Sequence, residues 1–103
     1  MLEALFGNVT AERVLFYVSI NASAYAQEIA DALGVRVSVV QKQLRRLEAG
    51  GVLASRSVGR TRVYELNPRF AFADDVRALM RKAFAFLPAG ERHRYLARRR
   101  PRS

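Results

Sequence analysis

Apolar residues between positions 37 and 49 recur with the period of an α-helix. Val37, Val40, Leu44 and Leu47 are separated by three, four and three residues, so they share one helical face. The opposite face carries small, amide and cationic side chains without an acid: Ser38, Gln41, Lys42 and Arg45. The glycine pair at 50–51 then ends the pattern. The stretch predicts a helix that packs on a core and presents a basic outer face.

Shorter helices are predicted before this one. A helical turn over residues 2–6 precedes a helix that Thr10 is expected to cap, and that runs to about Ile20. A further short helix spans about Tyr25 to Leu33 and ends at Gly34, where a left-handed residue is tolerated. A short helix, a turn with glycine and a longer helix are typical of a helix-turn-helix.

After the glycine pair the pattern changes to that of β-strands. Residues 53–57 and 61–66 flank a turn at 58–60, which indicates a hairpin with Tyr64 and Leu66 toward the core. A helix over 72–86 follows. The predicted fold is mainly α with a small β-hairpin: a winged helix-turn-helix, with a three-helix core, a wing and an additional C-terminal helix.

The charge distribution suggests a polyanionic partner. The chain of 103 residues carries a net charge of +9. By segment, the charge is −3 over residues 1–33, +6 over 34–70 and +6 over 71–103, so the positive excess begins at Gly34, just before the helix predicted at 37–49. A small basic domain of this kind most often binds nucleic acid. A solvated, arginine-rich surface without a specific partner is the alternative.

Several function classes are disfavoured by what the sequence lacks. It has no cysteine, and His93 is its single histidine, so we expect neither a metal nor a cofactor. The adjacent carboxylates Asp74 and Asp75 are explained by the positive end of a helix, and no catalytic constellation appears, so we expect no enzyme. The chain has no apolar run long enough to span a membrane and no secretory signal, which favours a cytoplasmic protein.

A continuous segment carries a family resemblance. The stretch AQEIADALGVRVSVVQKQLRRLEAGGVLASRSVGRTRVYELNP resembles the DNA-binding segment of ArsR-like repressors. The resemblance covers about residues 10–68, and MarR-like and PadR-like families share most of the pattern. It implies a DNA-binding domain over residues 1–88, including terminal dimerisation helices. Residues 89–103 would form a basic tail that adds affinity for DNA or only solubility.

The resemblance also implies roles for individual residues on double-stranded DNA. The recognition helix would present Arg36, Val37, Ser38, Gln41, Lys42 and Arg45 to the major groove. The wing would present Arg56, Arg60 and Arg62 to phosphates or the minor groove. One departure is Arg36, which stands where such families have a serine or threonine cap. Either Ser38 caps from inside the helix, or the helix begins more loosely, or Arg36 contacts a phosphate.

The Phe-rich last helix predicts an interface, because its apolar residues exceed what one side of a small domain needs; a lid over the chain's own core is the alternative. The residues expected at a homodimer interface are Leu2, Leu5, Phe6, Phe72, Val76, Leu79, Met80, Ala83, Phe84 and Leu87. The predicted function is a sequence-specific, dimeric transcriptional regulator, and the family resemblance implies that it is a repressor. A winged-helix module that docks a partner protein through this helix is the alternative. Tyr25 is interpreted as packing under the wing, with a base contact as its other reading.

Overall fold

A computed structural model of the protein describes residues 1–96. The helices in that range are α1 (Glu3–Phe6), α2 (Val9–Asn21), α3 (Ala26–Leu33), α4 (Val37–Ala49), α5 (Ala73–Ala85) and α6 (Ala89–Leu96). The strands are β1 (Ser23–Tyr25), β2 (Leu53–Val58) and β3 (Thr61–Leu66). The predicted recognition helix, which is α4, is confirmed at both ends.

The corner between α1 and α2 is set by two adjacent residues. Gly7 ends α1 in the left-handed region, with φ of 95°. The Asn8 side chain then caps α2, because its Oδ1 accepts a hydrogen bond from the Ala11 N–H at 2.7 Å. The expected cap at Thr10 was therefore wrong by two residues, since Asn8 offers the acceptor two positions earlier.

Helix α2 forms the centre of the domain. Its residues Val14 to Val18 are all buried. They are buried on every side because α4, α5, α6 and the sheet surround this helix. Each fully enclosed aliphatic or aromatic side chain of this kind contributes about 1.5–3 kcal/mol. The core therefore lies along α2, and the other helices are arranged around it.

The sheet has one strand more than the predicted hairpin. Strand order is β1-β3-β2, and both pairings are antiparallel. Tyr25 belongs to β1, opposite Val63 of β3, so α3 begins at Ala26 and not at Tyr25. A strand of three residues is too short for an alternating pattern to reveal it. Tyr64 and Leu66 are buried, which confirms their predicted orientation.

Helix α5 contributes part of its Phe-rich side to the chain's own core. Met80 and Ala83 are buried there, and Phe84 packs against the core cluster. The sequence predicted both residues at a dimer interface, whereas the structure encloses them in the chain's own core, where α5 packs on α2. Of the interface residues predicted on α1 and α5, Leu5 and Phe72 are the most exposed.

Helix α6 lies inside the segment that the sequence predicted as a basic tail. Its Tyr95 is buried against Phe16, with ring centroids 5.5 Å apart. Burial raises the pKa of the Tyr95 hydroxyl to about 12. The Asn21 side-chain amide donates to the Tyr95 carbonyl at 2.9 Å and ties α6 to the end of α2. Packed structure thus continues to Leu96, and the tail arginines at 98–100 and 102 lie outside the described residues.

Within residues 1–96, no helix combines the length and apolar character that crossing a membrane would require.

Candidate nucleic-acid interface

Helices α3 and α4 form the helix-turn-helix. Gly34 ends α3 in the left-handed region, with φ of 67°, and the chain turns into α4 within three residues. The inner side of α4 buries Val40, Leu44 and Leu47, as its periodicity predicted. Its outer side leaves four polar residues exposed: Ser38, Gln41, Lys42 and Arg45. A polar face without carboxylates is thereby presented to solvent by a helix anchored along its whole length.

The start of α4 has no side-chain cap at the expected position. Arg36 holds the N-cap in an extended conformation, and its side chain makes no capping hydrogen bond. The Val39 N–H instead bonds the Arg36 carbonyl at 3.1 Å, which tightens the first turn. The first turn of α4 also carries no acidic residue. The partial positive charge at the N-terminus of α4 is therefore not neutralised by a carboxylate of its first turn.

The wing consists of β2, β3 and the turn between them. Gly59 supplies a left-handed turn residue, with φ of 63°. Strand register pairs Arg56 with Val63 and Ser57 with Arg62. Because side chains alternate along a strand, Arg56 and Arg62 project from opposite faces of the wing. Arg62 shares its face with Tyr64, on the side of the sheet that packs toward the helices.

Hydrogen bonds tie the base of the wing to α4. The Ser55 hydroxyl donates to the Glu48 carboxylate at the end of α4, and Arg62 Nη1 donates to Ser55 Oγ at 2.8 Å. The Asn67 side-chain amide donates to the Gly51 carbonyl at 3.0 Å, just after α4. Together these bonds fix the position of the wing relative to the recognition helix.

A groove of about 670 Å³ runs between the recognition helix and the wing. One wall is a line of residues along α4, namely Val37, Gln41 and Arg45. The facing wall comes from the wing and comprises Arg60, Thr61, Arg62 and Tyr64. The corner between β1 and α3 closes one part of it with Tyr25, Ala26 and Gln27. Three of these ten described residues are arginines and none is acidic, so the groove favours an anionic ligand.

The groove brings together part of the predicted DNA-binding set. Five of its members line the groove: Val37, Gln41, Arg45, Arg60 and Arg62. The others lie outside this lining and are exposed: Arg36, Ser38, Lys42 and Arg56. The sequence did not indicate Gln27 and Thr61 there, and for Tyr25 it favoured packing under the wing over a base contact. The pairing of Tyr25 with Val63, residues 38 positions apart, creates that part of the lining, and no local pattern signals it.

The inner side of α4 also carries a polar network that periodicity did not indicate. Gln43 is buried, and its Oε1 accepts hydrogen bonds from Arg46 Nε at 3.0 Å and from Asn8 Nδ2 at 3.3 Å. Arg46 Nη2 donates in turn to the Phe6 carbonyl at 2.6 Å. The recognition helix is thus attached to the corner between α1 and α2.

Among residues 1–96, no three His, Asp or Glu side chains are grouped in a way that could hold a metal ion.

The element order, the three-stranded sheet and the helix-wing geometry define a winged helix-turn-helix domain. Residues 21–68 match a family described as the CodY helix-turn-helix domain. This match covers α3, α4 and the wing, which are the elements that build the groove. The chain therefore contains a helix-turn-helix, and this match supports a role as a DNA-binding regulator.

A solved structure shares the fold. The X-ray crystal structure of the YusO protein from Bacillus subtilis matches with a TM-score of 0.61 and 23% sequence identity. The match covers 85% of this chain and 69% of that one. No curated protein sequence matches the chain. The likeness to YusO concerns architecture, and it extends beyond the helix-turn-helix to most of the domain.

Proposed function

We propose that the protein is a sequence-specific, double-stranded DNA-binding transcriptional regulator that acts as a repressor. The observation that supports this best is the groove between α4 and the wing. It joins the acid-free face of the recognition helix to Arg60 and Arg62 of the wing. Such a surface complements the phosphate-lined edge of a duplex, while a helix of this size fits the major groove.

The proposed roles divide between affinity and choice of sequence. Gln41, Lys42 and Arg45 would read base edges, because amide and cationic side chains match the hydrogen-bonding pattern of the major groove. Ser38 and Val37 would lie close to the same bases. Arg36, at the uncapped start of α4, and the three wing arginines at 56, 60 and 62 would contact phosphates and set the register.

A homodimer is part of the proposal. Leu5 of α1 is 69% exposed and Phe72, at the start of α5, is 61% exposed. Leu2, Phe6, Val76, Leu79, Phe84 and Leu87 are partly exposed and complete the proposed interface. A two-fold dimer would present two recognition helices about 34 Å apart, one turn of the duplex. An ArsR-like repressor that occludes a promoter in the cytoplasm is the form of regulator that the family resemblance implies.

The proposal is tested by selecting genomic fragments with the purified protein and comparing them with random duplex. We expect Lys42→Ala and Arg45→Ala each to weaken binding to a selected fragment about tenfold or more, because a bidentate base contact is worth about 1–3 kcal/mol. On random duplex the loss should be much smaller. Affinities are measured by gel shift. Equal losses on both kinds of DNA would argue against base reading by these residues.

A docking module for a partner protein is the second candidate, since Phe72 and Phe86 are both well exposed. The same gel shift separates the two functions. A protein that fails to bind random duplex at low salt would favour the docking module, because phosphate contacts alone give a winged helix measurable non-specific affinity.

A further inference from the structure

Tyr25 differs from the other tyrosines of the chain in its exposure. Tyr17, Tyr64 and Tyr95 are buried, whereas Tyr25 is 43% exposed. Its side chain lines the groove, near Gln27 and between the recognition helix and the wing. An aromatic residue that stays exposed in a cationic groove is placed for contact with a ligand and contributes little to the core.

The backbone of Tyr25 is held in place by two separate elements. It pairs with Val63 in the sheet. Its N–H donates to Glu28 Oε1 at 3.4 Å, and Glu28 Oε2 accepts a hydrogen bond from the Tyr17 hydroxyl at 2.8 Å. Glu28 therefore connects the groove to the buried side of α2. These contacts fix the backbone of Tyr25, so a ligand that binds its side chain loses little backbone entropy in ordering this residue.

The geometry of a duplex indicates what would occupy the groove. If α4 enters the major groove, which is about 12 Å wide, a phosphodiester strand borders it on each side. The wing lies beside α4, so one of these strands must pass between them. The lining matches such a strand, since it offers arginines, amides and hydroxyls and, among its described residues, no carboxylate.

We propose that Tyr25 is a positioning residue for this DNA strand, with its hydroxyl donating a hydrogen bond to a backbone phosphate oxygen. The inference rests on the proposed DNA-binding function and deepens it. Tyr25 reads no base, so its contribution is the same on every sequence. It adds an uncharged phosphate donor to a surface where the other donors are mostly cations.

A neutral donor has a distinctive dependence on salt. Each cation that neutralises a phosphate releases counterions and adds about 0.9 to the slope of log affinity against log salt concentration. A hydroxyl adds affinity but releases no counterion. Removing the Tyr25 hydroxyl should thus lower affinity while leaving the slope unchanged. Removing Arg60 should lower affinity and reduce the slope by about 0.9.

The test uses the full chain and a fluorescent random-sequence duplex, with affinity measured by anisotropy at several salt concentrations. The variants are Tyr25→Phe, Arg60→Ala and Tyr95→Phe. The last makes the same chemical change on the buried tyrosine of α6, away from the groove. We expect Tyr25→Phe to bind about tenfold more weakly at every salt concentration, in line with a hydrogen bond to a charged group. Tyr95→Phe should bind like the wild type.

Each outcome has a separate meaning. Wild-type affinity in Tyr25→Phe, together with a loss in Arg60→Ala, overturns the role of Tyr25 and leaves DNA binding intact. A changed salt slope in Tyr25→Phe also overturns it, because the hydroxyl would then act through a cation. If the wild-type protein binds no duplex at low salt, the proposed function fails as well. Circular dichroism melting curves show that each variant is folded at the assay temperature.

Discussion

Ala22 follows α2 with φ of 68° and ψ of −44°. It is the one non-glycine residue among residues 1–96 with positive φ. The β-carbon makes this conformation costly, by about 1–3 kcal/mol, and glycine escapes most of that cost. The strain is imposed because the chain must turn from α2 directly into β1, one residue later. Asn21 and Ser23, on either side, are fixed by α6 and by the sheet.

Replacing Ala22 with glycine is therefore expected to raise the free energy of unfolding by about 1 kcal/mol, after the greater entropy of glycine in the unfolded chain is subtracted. Ala22 is exposed, so the lost methyl group removes no core contact. Urea denaturation measures the change. Ala78→Gly, at an exposed position inside α5, is the matched control and should lower stability by about 1 kcal/mol. A destabilised Ala22→Gly protein would contradict the strain.

At the scale of elements, the recognition helix is attached to the domain by side-chain hydrogen bonds as well as by its buried apolar residues. Arg46 bridges the C-terminal end of α1 and the buried Gln43, through bonds to the Phe6 carbonyl and to Gln43 Oε1. Arg45, its neighbour, bonds only a carbonyl of its own helix, at 3.3 Å, among the hydrogen bonds found in residues 1–96. Two adjacent arginines of one helix thus have different tasks, because α4 turns them about 100° apart.

We predict that Arg46→Ala lowers the free energy of unfolding by about 1–3 kcal/mol, since Phe6 and Gln43 lose charge-assisted hydrogen bonds. Arg45→Ala should change stability by less than about 0.5 kcal/mol, as is usual for an exposed position. Urea denaturation of both variants compares them directly. Equal stability losses would show that the bridge contributes nothing beyond a surface arginine.

Features set by neighbouring residues could be predicted from the sequence, and features set by residues far apart in the chain could not. The boundaries of α4 and the orientation of Tyr64 were predicted, because local periodicity and glycine turns encode them. Eight of the nine predicted DNA-binding residues are exposed, which the same local patterns indicate, and Val37 is half-buried. Their contacts with DNA stay a prediction. Strand β1 and the Arg46–Gln43 bridge were not predicted. Each depends on a partner far along the chain, which no local pattern announces.

At the scale of the whole molecule, the exposed apolar residues lie mainly at the two ends of the described chain and on the wing tip. Leu5 belongs to α1, and Phe86, just after α5, is 71% exposed. Residues of α1, α2 and α6 meet at one cleft, which Met1, Val9 and Leu87 also line. A surface of this kind suits the second copy that the proposed regulator requires.

The predicted dimer is tested by sedimentation velocity over a range of protein concentrations. We expect the wild type to sediment as a dimer, and the double variant Leu5→Ser and Phe72→Ser, at the two most exposed residues of the proposed interface, to sediment as a monomer. Val58→Ser changes an equally apolar, half-exposed residue on the wing and should stay dimeric. A wild-type monomer at all concentrations would refute the dimer. If the double variant is still a dimer, the interface does not include these two residues.

The uneven exposure of the tyrosines also has an optical consequence. The chain contains no tryptophan, so its ultraviolet fluorescence arises from its four tyrosines. Three of them are enclosed by the protein, and a dissolved quencher such as acrylamide reaches mainly Tyr25. Any ligand that fills the groove shields this ring from the quencher. The protein therefore carries its own unlabelled reporter of groove occupancy, at the position where the wing meets the recognition helix.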